Sequence, residues 1–276
     1  MLPKFELPYN FEPCYEGYLQ NHHHLLNMVK CIYLSAWTAD SKNTRIITTF
    51  DPNFPKTKEE YFQHIKMLQK YSDVCVIFQS RQLDPSIIDE YYFHGVKMYI
   101  LADDDCAKTL KERYKDIHLI LTITRDITAT DLEQNDYTMY DEIVLSFYFY
   151  RHIDAIKKLP KKYNYVLMVN SQCYHACTMR QKHWFLQVDN PEEYHRIENQ
   201  ICANYCGPLL KDTRQSILIF PNDLQYFDPY VSSYKLLDRA IPAADIFSAL
   251  WHYCNRINMA SNPGHPGGED YYNLDT

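Results

Sequence analysis

Glycine is the scarcest structural signal in this chain. Only six occur in 276 residues, and three of them (Gly264, Gly267, Gly268) fall in the last thirteen. The body therefore lacks the Gly-rich loops that cradle phosphates and the glycine fingerprint of dinucleotide-binding folds. No run approaches the ~20 consecutive apolar residues of a membrane-spanning helix. The opening MLPKFELPYNFEPC has no basic-then-apolar layout of an export signal, so the sequence reading expects a cytoplasmic protein whose nine cysteines carry no disulfides. An excess of positive charge is also missing. Lys and Arg number 28 against 35 Asp and Glu, a net charge of −7, which argues against a nucleic-acid partner held through phosphates. Neither H-E-x-x-H nor G-x-S-x-G occurs, so no common protease or hydrolase motif is present.

What is abundant is tyrosine, with 25 residues, and short apolar runs. The tyrosine excess fits either a compositional habit or an interfacial surface. Eight runs read as strands: 31–37, 74–80, 96–102, 117–123, 142–148, 165–171, 216–221 and 232–236. Most are almost continuously apolar, as strands buried on both faces are. Helical stretches lie between them. In TKEEYFQHIKMLQKY, Tyr61, Ile65 and Leu68 share one face. The segments 86–95, 107–114 and 244–254 read likewise. Strand alternating with helix, eight times over, predicts an α/β chain folded as one (β/α)8 TIM-like barrel, with an open doubly wound sheet as the competitor. The expected boundaries are a barrel domain over 1–260 and a loose C-terminal tail over 261–276. RIITTF (45–50) reads as an excursion in the first connection, and HHH (22–24) is too short for a metal tract. Val76 or Ile77, Ile100, Leu121, Leu145 and Met168 are expected inside, and Asp103–Asp105 are expected to cap the helix that follows them.

Barrel chemistry sits at the carboxyl ends of strands. There the chain offers a mouth of mixed charge, suited to a small polar or anionic substrate. The sharpest signal follows the sixth expected strand. Cys173-x3-Cys177 is followed, after a gap of twenty-four residues, by Cys202-x3-Cys206, inside an unusually long connection from Asn170 to Ser216. Cysteines spaced this way share a helical face or a tight loop, so each pair can share a metal. Together the pairs supply four soft ligands, enough for tetrahedral zinc or an iron–sulfur cluster. Against this, Cys14, Cys31, Cys75, Cys106 and Cys254 show that the chain also uses cysteine as a plain residue. His175 and His183 are substitute ligands by position.

The run Asn170, Cys173, Cys177, Arg180, His183 resembles the collagenase-like "U-type" peptidase family, number thirty-two. In that family a barrel strand ends in Asn and is followed by a Cys-rich loop. LSFYFYR (145–151) resembles the family's Leu-Ser turn, with Tyr150 where Asn is usual. IFPNDLQYF, YKLLDR and the terminal NLD resemble its later segments. The chain departs from the family at Phe220, Asn222 and Asp238, where Arg, Glu and Gly are usual. The resemblance spans about residues 28–275. It implies a four-iron, four-sulfur cluster on Cys173, Cys177, Cys202 and Cys206, in an oxidoreductase of the oxygen-independent hydroxylase branch. Asn170, Arg180 and His183 would surround the cluster. Arg125, Arg151 and Arg239 would hold an anionic cosubstrate, and a related barrel subunit is an expected partner. The alternatives left open are a zinc-stapled barrel that binds without turnover, and a peptidase.

Overall fold

The structure, a computed structural model, describes residues 2–37, 53–171, 173–175, 177, 179, 193, 196, 198–210, 215–237, 241–258 and 269–273. Eight parallel strands close on themselves in chain order: β1 (Lys4–Pro8), β2 (Val29–Ser35), β3 (Asp73–Ile77), β4 (Met98–Leu101), β5 (His118–Leu121), β6 (Glu142–Val144), β7 (Asn164–Met168) and β8 (Ser233–Lys235), with β8 pairing back onto β1. Around them lie α1 (Tyr15–Asn21), α2 (Lys58–Leu68), α3 (Pro85–Phe93), α4 (Asp104–Arg113), α5 (Ala129–Gln134), α6 (Ile153–Lys157), α7 (Leu224–Phe227) and α8 (Ala243–Asn255). The protein is a (β/α)8 barrel.

Local chemistry explains the helices. Thr57 and Glu60 form a capping box at the start of α2, whose Tyr61, Phe62, Ile65 and Leu68 are buried. Asp84 caps α3, where Pro85 sets the first helical residue. Asp103 caps α4 by accepting from the N–H groups of Asp105 and Cys106, so the acidic trio does open that helix, with Asp104 and Asp105 already in its first turn. Val76, Ile77, Ile100, Leu121, Leu145 and Met168 are buried, as expected.

Two expectations about the staves are corrected. Residues 216–221 are not a stave. They form an extended arm along the outgoing end of β7: Ile217 N–H donates to the Cys173 carbonyl and Ile219 N–H to Val169, each at 3.0 Å, with an antiparallel bridge between Tyr174 and Ser216. The arm is apolar because it is buried, not because it belongs to the barrel. The missing stave is β1, whose Lys4, Glu6 and Pro8 hide it from an apolar pattern. The two errors offset each other in the count, so the cysteine-rich connection follows the seventh strand, not the sixth.

Tyrosine serves the interior. Tyr15, Tyr33, Tyr61 and Tyr99 are buried and donate to the carbonyls of Pro8, Leu236, Ser35 and Val96 at 2.5–2.7 Å. These rings fill the space between barrel and helices while their hydroxyls satisfy carbonyls at strand ends and turns. The excess is in good part a core feature, unlike either reading of the sequence. From the expected tail, residues 269–273 are docked: Tyr272 is buried and donates to Asp223 at 2.7 Å, and His152 forms a bridge with Asn273. The run 45–50 and most of 261–276 lie outside the described residues.

Candidate metal centre

The connection after β7 begins at the barrel mouth. Asn170 fixes its root: its side-chain amide donates to the Leu237 carbonyl at 3.0 Å and its carbonyl oxygen accepts from Leu237 N–H at 2.5 Å. The amide thus spans the outgoing ends of β7 and β8 as a further rung would. Cys173 and Cys177 follow, both half-buried, with the Cys173 backbone pinned by the arm at Ile217. His175 between them is held by residue 215. Its backbone N–H donates to the Gln215 carbonyl at 3.0 Å, and its Nδ1 lies 3.1 Å from the same oxygen.

The second cysteine pair arrives on a helix with π-type bonding, Glu198–Cys206. Cys202 is half-buried and Cys206 buried. The two pairs meet. Burial, and then the Cys177 thiol hydrogen-bonded beside it, raise the Cys206 thiol above its ordinary value. Two thiols from pairs far apart in sequence are therefore neighbours in space, as a common ligand set requires. The remaining convergence is incomplete: among the described residues no three or more Cys, His, Asp or Glu side chains are gathered closely enough to hold a metal ion. The donors suit a soft metal in kind, and Cys177 with Cys206 suit it in place. A metal would have to draw Cys173 and Cys202 in, and would displace protons as the thiols ionise.

The other cysteines are set apart by their surroundings. Cys31 and Cys75 are wholly buried in β2 and β3, with Cys31 hydrogen-bonded to Cys75. Burial pushes the Cys106 and Cys254 thiols up to about 12. These are packing residues.

The arginines expected at the mouth are committed within the protein. Arg125 forms a bidentate pair with Asp104, at 2.9 and 3.0 Å, and also donates to the Ala102 carbonyl. Arg151 is buried, its guanidinium 3.9 Å from the centre of the Tyr271 ring. Arg180, His183 and Arg239 lie outside the described residues. One neighbour escaped the sequence reading: His152, stacked on the half-exposed ring of Tyr148 at 4.3 Å. Burial first, then His175 and Arg151, lower the His152 pKa, so it is biased toward the neutral imidazole. Only its position directly after the strand-end turn 145–151 could have marked it.

Fold and site together define a (β/α)8 barrel with thiols in the connection after its seventh strand. No protein-family profile matches the sequence, and no curated protein does. Among solved structures the chain is similar to a U32 peptidase, with a TM-score of 0.51 and 13% identity over 88% of this chain and 95% of that one. It also resembles a conserved protein of unknown function from Enterococcus faecalis, with a TM-score of 0.47 and 9% identity over 92% of this chain and 66% of that one. A glycerophosphodiester phosphodiesterase from Agrobacterium tumefaciens gives a TM-score of 0.41 and 10% identity, over 91% and 99% of the two chains. The likeness to the U32 peptidase is one of fold.

Proposed function

We propose that Cys173, Cys177, Cys202 and Cys206 hold an iron–sulfur cluster of the four-iron, four-sulfur kind, in an oxidoreductase that acts on a small polar or modified substrate at the mouth of the barrel. The observation that carries this reading is the contact between the Cys177 and Cys206 thiols, which joins two C-x3-C pairs into one place. When bound, such a cluster, with one cysteine on each iron, supplies electron transfer. The chain's own part is to place the thiols and shield them. The Asn170 clamp and the arm 216–221 fix the start of the loop, and the π-type helix delivers Cys202 and Cys206. The neutral imidazole of His152, beside His175, is a proton acceptor at the rim of the same mouth. A cytoplasmic setting, where thiols stay reduced, suits this ligand set.

Purification without oxygen, followed by iron, sulfide and zinc analysis, tests the reading. The expected protein is brown, with a broad band near ~400 nm, and carries iron and sulfide in equal amounts. Cys173→Ser, Cys177→Ser and Cys206→Ser each lose the metal, whereas Cys14→Ser, Cys75→Ser and Cys254→Ser keep it. A colourless protein with stoichiometric zinc would replace the cluster by a structural zinc site. Full metal occupancy in Cys173→Ser would end the single-site idea. Cleavage of a peptide library that survives chelation and replacement of the cysteines would favour the peptidase alternative suggested by the name of the similar structure.

A further inference from the structure

The outer ring of helices carries a face that neither the mouth nor the cysteine connection uses. Between them, α2 and α3 leave a hollow of about 690 Å³, lined among others by Glu59, Phe62, Gln63, Lys66, Phe93 and His94. The rings of Phe62 and His94, stacked at 3.8 Å, give it an aromatic wall. Phe93 is 82% exposed, the most exposed large apolar side chain among the described residues. A single exposed ring is ordinary on a protein surface. Here the ring stands beside a hollow with an aromatic wall, so one face carries both a knob and a place for one.

The charges on this face are arranged symmetrically. Glu59, Phe62, Gln63 and Lys66 follow the i, i+3, i+4, i+7 spacing that sets them along one side of α2. Lys58 at the margin is already paired with Glu90. Glu59 and Lys66 are exposed and have no ionic partner among the described residues. A two-fold axis passing between Phe62 and Gln63 lays a second α2 antiparallel on the first. It sets Glu59 of each copy against Lys66 of the other, and Phe62 against Gln63. Each charge then lies about 5 Å along the helix from the axis, three and a half residues at the α-helical rise. An isologous interface requires such a self-complementary patch. A partner surface of one charge sign would meet a like charge at one end of the same row.

We propose that this face binds a second copy of the chain, as a two-fold dimer. The α2 helices pair antiparallel through two Glu59–Lys66 contacts, and Phe93 of each copy enters the hollow of the other. The exposed side chains number far fewer than the roughly 20–30 residues a side of a standard interface, so the dimer is reversible, half formed at about 100 μM.

Sedimentation equilibrium of the full chain from about 5 to 500 μM, at physiological salt, tests it. A monomer–dimer equilibrium is expected. Phe93→Ser should weaken it at least about tenfold, as loss of a central aromatic anchor does. Glu59→Lys and Lys66→Glu should each weaken it about tenfold, because each sets like charges together twice. An equimolar mixture of those two variants should dimerise again, and so should the double variant, since both restore opposite charges at each end. Ile257→Ser, at another exposed apolar residue, should change nothing. All these side chains are exposed, and circular dichroism checks that the variants fold. Iron content should be the same in every variant, so the outcome is independent of the cysteine reading. A monomer throughout, or a dimer that Phe93→Ser leaves intact and that the mixture of charge variants does not rescue, would overturn the proposal.

Discussion

Lys30→Met is the most informative perturbation of the fold. Lys30 sits on β2 and reaches Glu6 on the adjacent β1, at 3.3 Å, and Glu142 on β6, four strands away around the closed barrel. The lysine therefore ties opposite staves across the barrel's N-terminal end. Glu6 is wholly buried and Glu142 nearly so. Burial on its own would raise the Glu142 pKa. His118 and Lys30 together outweigh it and hold the carboxyl at about 2, against an ordinary 4.5. That difference corresponds to about 3 kcal/mol of native-state stability. Because the folded value is depressed, the contribution is complete well above pH 4.5 and is lost as the pH falls toward 2, with about 1 kcal/mol left at pH 3. Removing one partner of a buried pair costs about 3–5 kcal/mol. Lys235, 3.1 Å from Glu6, and Ser232 on Glu142 soften the loss, so about 3 kcal/mol is expected at pH 7. Urea unfolding followed by tryptophan fluorescence at pH 7 and pH 3 measures it. The gap between wild type and Lys30→Met should narrow at pH 3, where Glu142 has lost most of what Lys30 gave it. Adding Glu142→Gln to Lys30→Met should restore part of the stability by removing the stranded charge. A cost below about 1 kcal/mol at pH 7, or a gap that does not change with pH, would refute the reasoning.

Three further outcomes are expected. Asn170→Ala strands the Leu237 N–H and carbonyl and should cost about 1–3 kcal/mol in thermal or urea unfolding. Tyr253→Phe removes the hydroxyl shared by the carbonyls of Val169 and Ile219, at 3.0 and 2.8 Å, and should cost about 1 kcal/mol while speeding amide exchange along 216–221. Arg151→Met forfeits the stack on Tyr271; a loss of about 2 kcal/mol is expected, with exchange rising in residues 269–273 rather than in the barrel strands.

The fold was legible where strands are buried on both faces by apolar residues alone. It failed where that rule fails. KFELP reads as surface because Glu6 is charged, yet Glu6 is wholly buried in a lattice of Lys30, Lys235 and Ser233. Residues 216–221 read as a stave because burial, not barrel membership, makes a run apolar. Helices α2, α3, α4 and α8 were legible from one-face periodicity, and α4 also from its acidic cap, neither of which needs tertiary knowledge. Tyrosine misled in a different way. Composition cannot tell a hydroxyl facing water from one facing a buried carbonyl, and in Tyr15, Tyr33, Tyr61 and Tyr99 it is the second.

At the site, spacing suggested the cysteine pairs and geometry adds the contact between Cys177 and Cys206. Spacing could not assign the arginines. A guanidinium at a strand end reads as an anion grip until its partners are known, and here Arg125 has Asp104 and Arg151 has Tyr271. Both described arginines of that set are thus engaged within the protein. At the N-terminal end, Lys30, Lys97 and His118 line a cavity together with Asp73. Cys177 and Cys206 meet at the other end. The contact between Cys177 and Cys206 and the Lys30 tie thus lie at opposite ends of one barrel. A substitution at these cysteines should therefore leave in place the Lys30 tie and the pH dependence of stability that it carries.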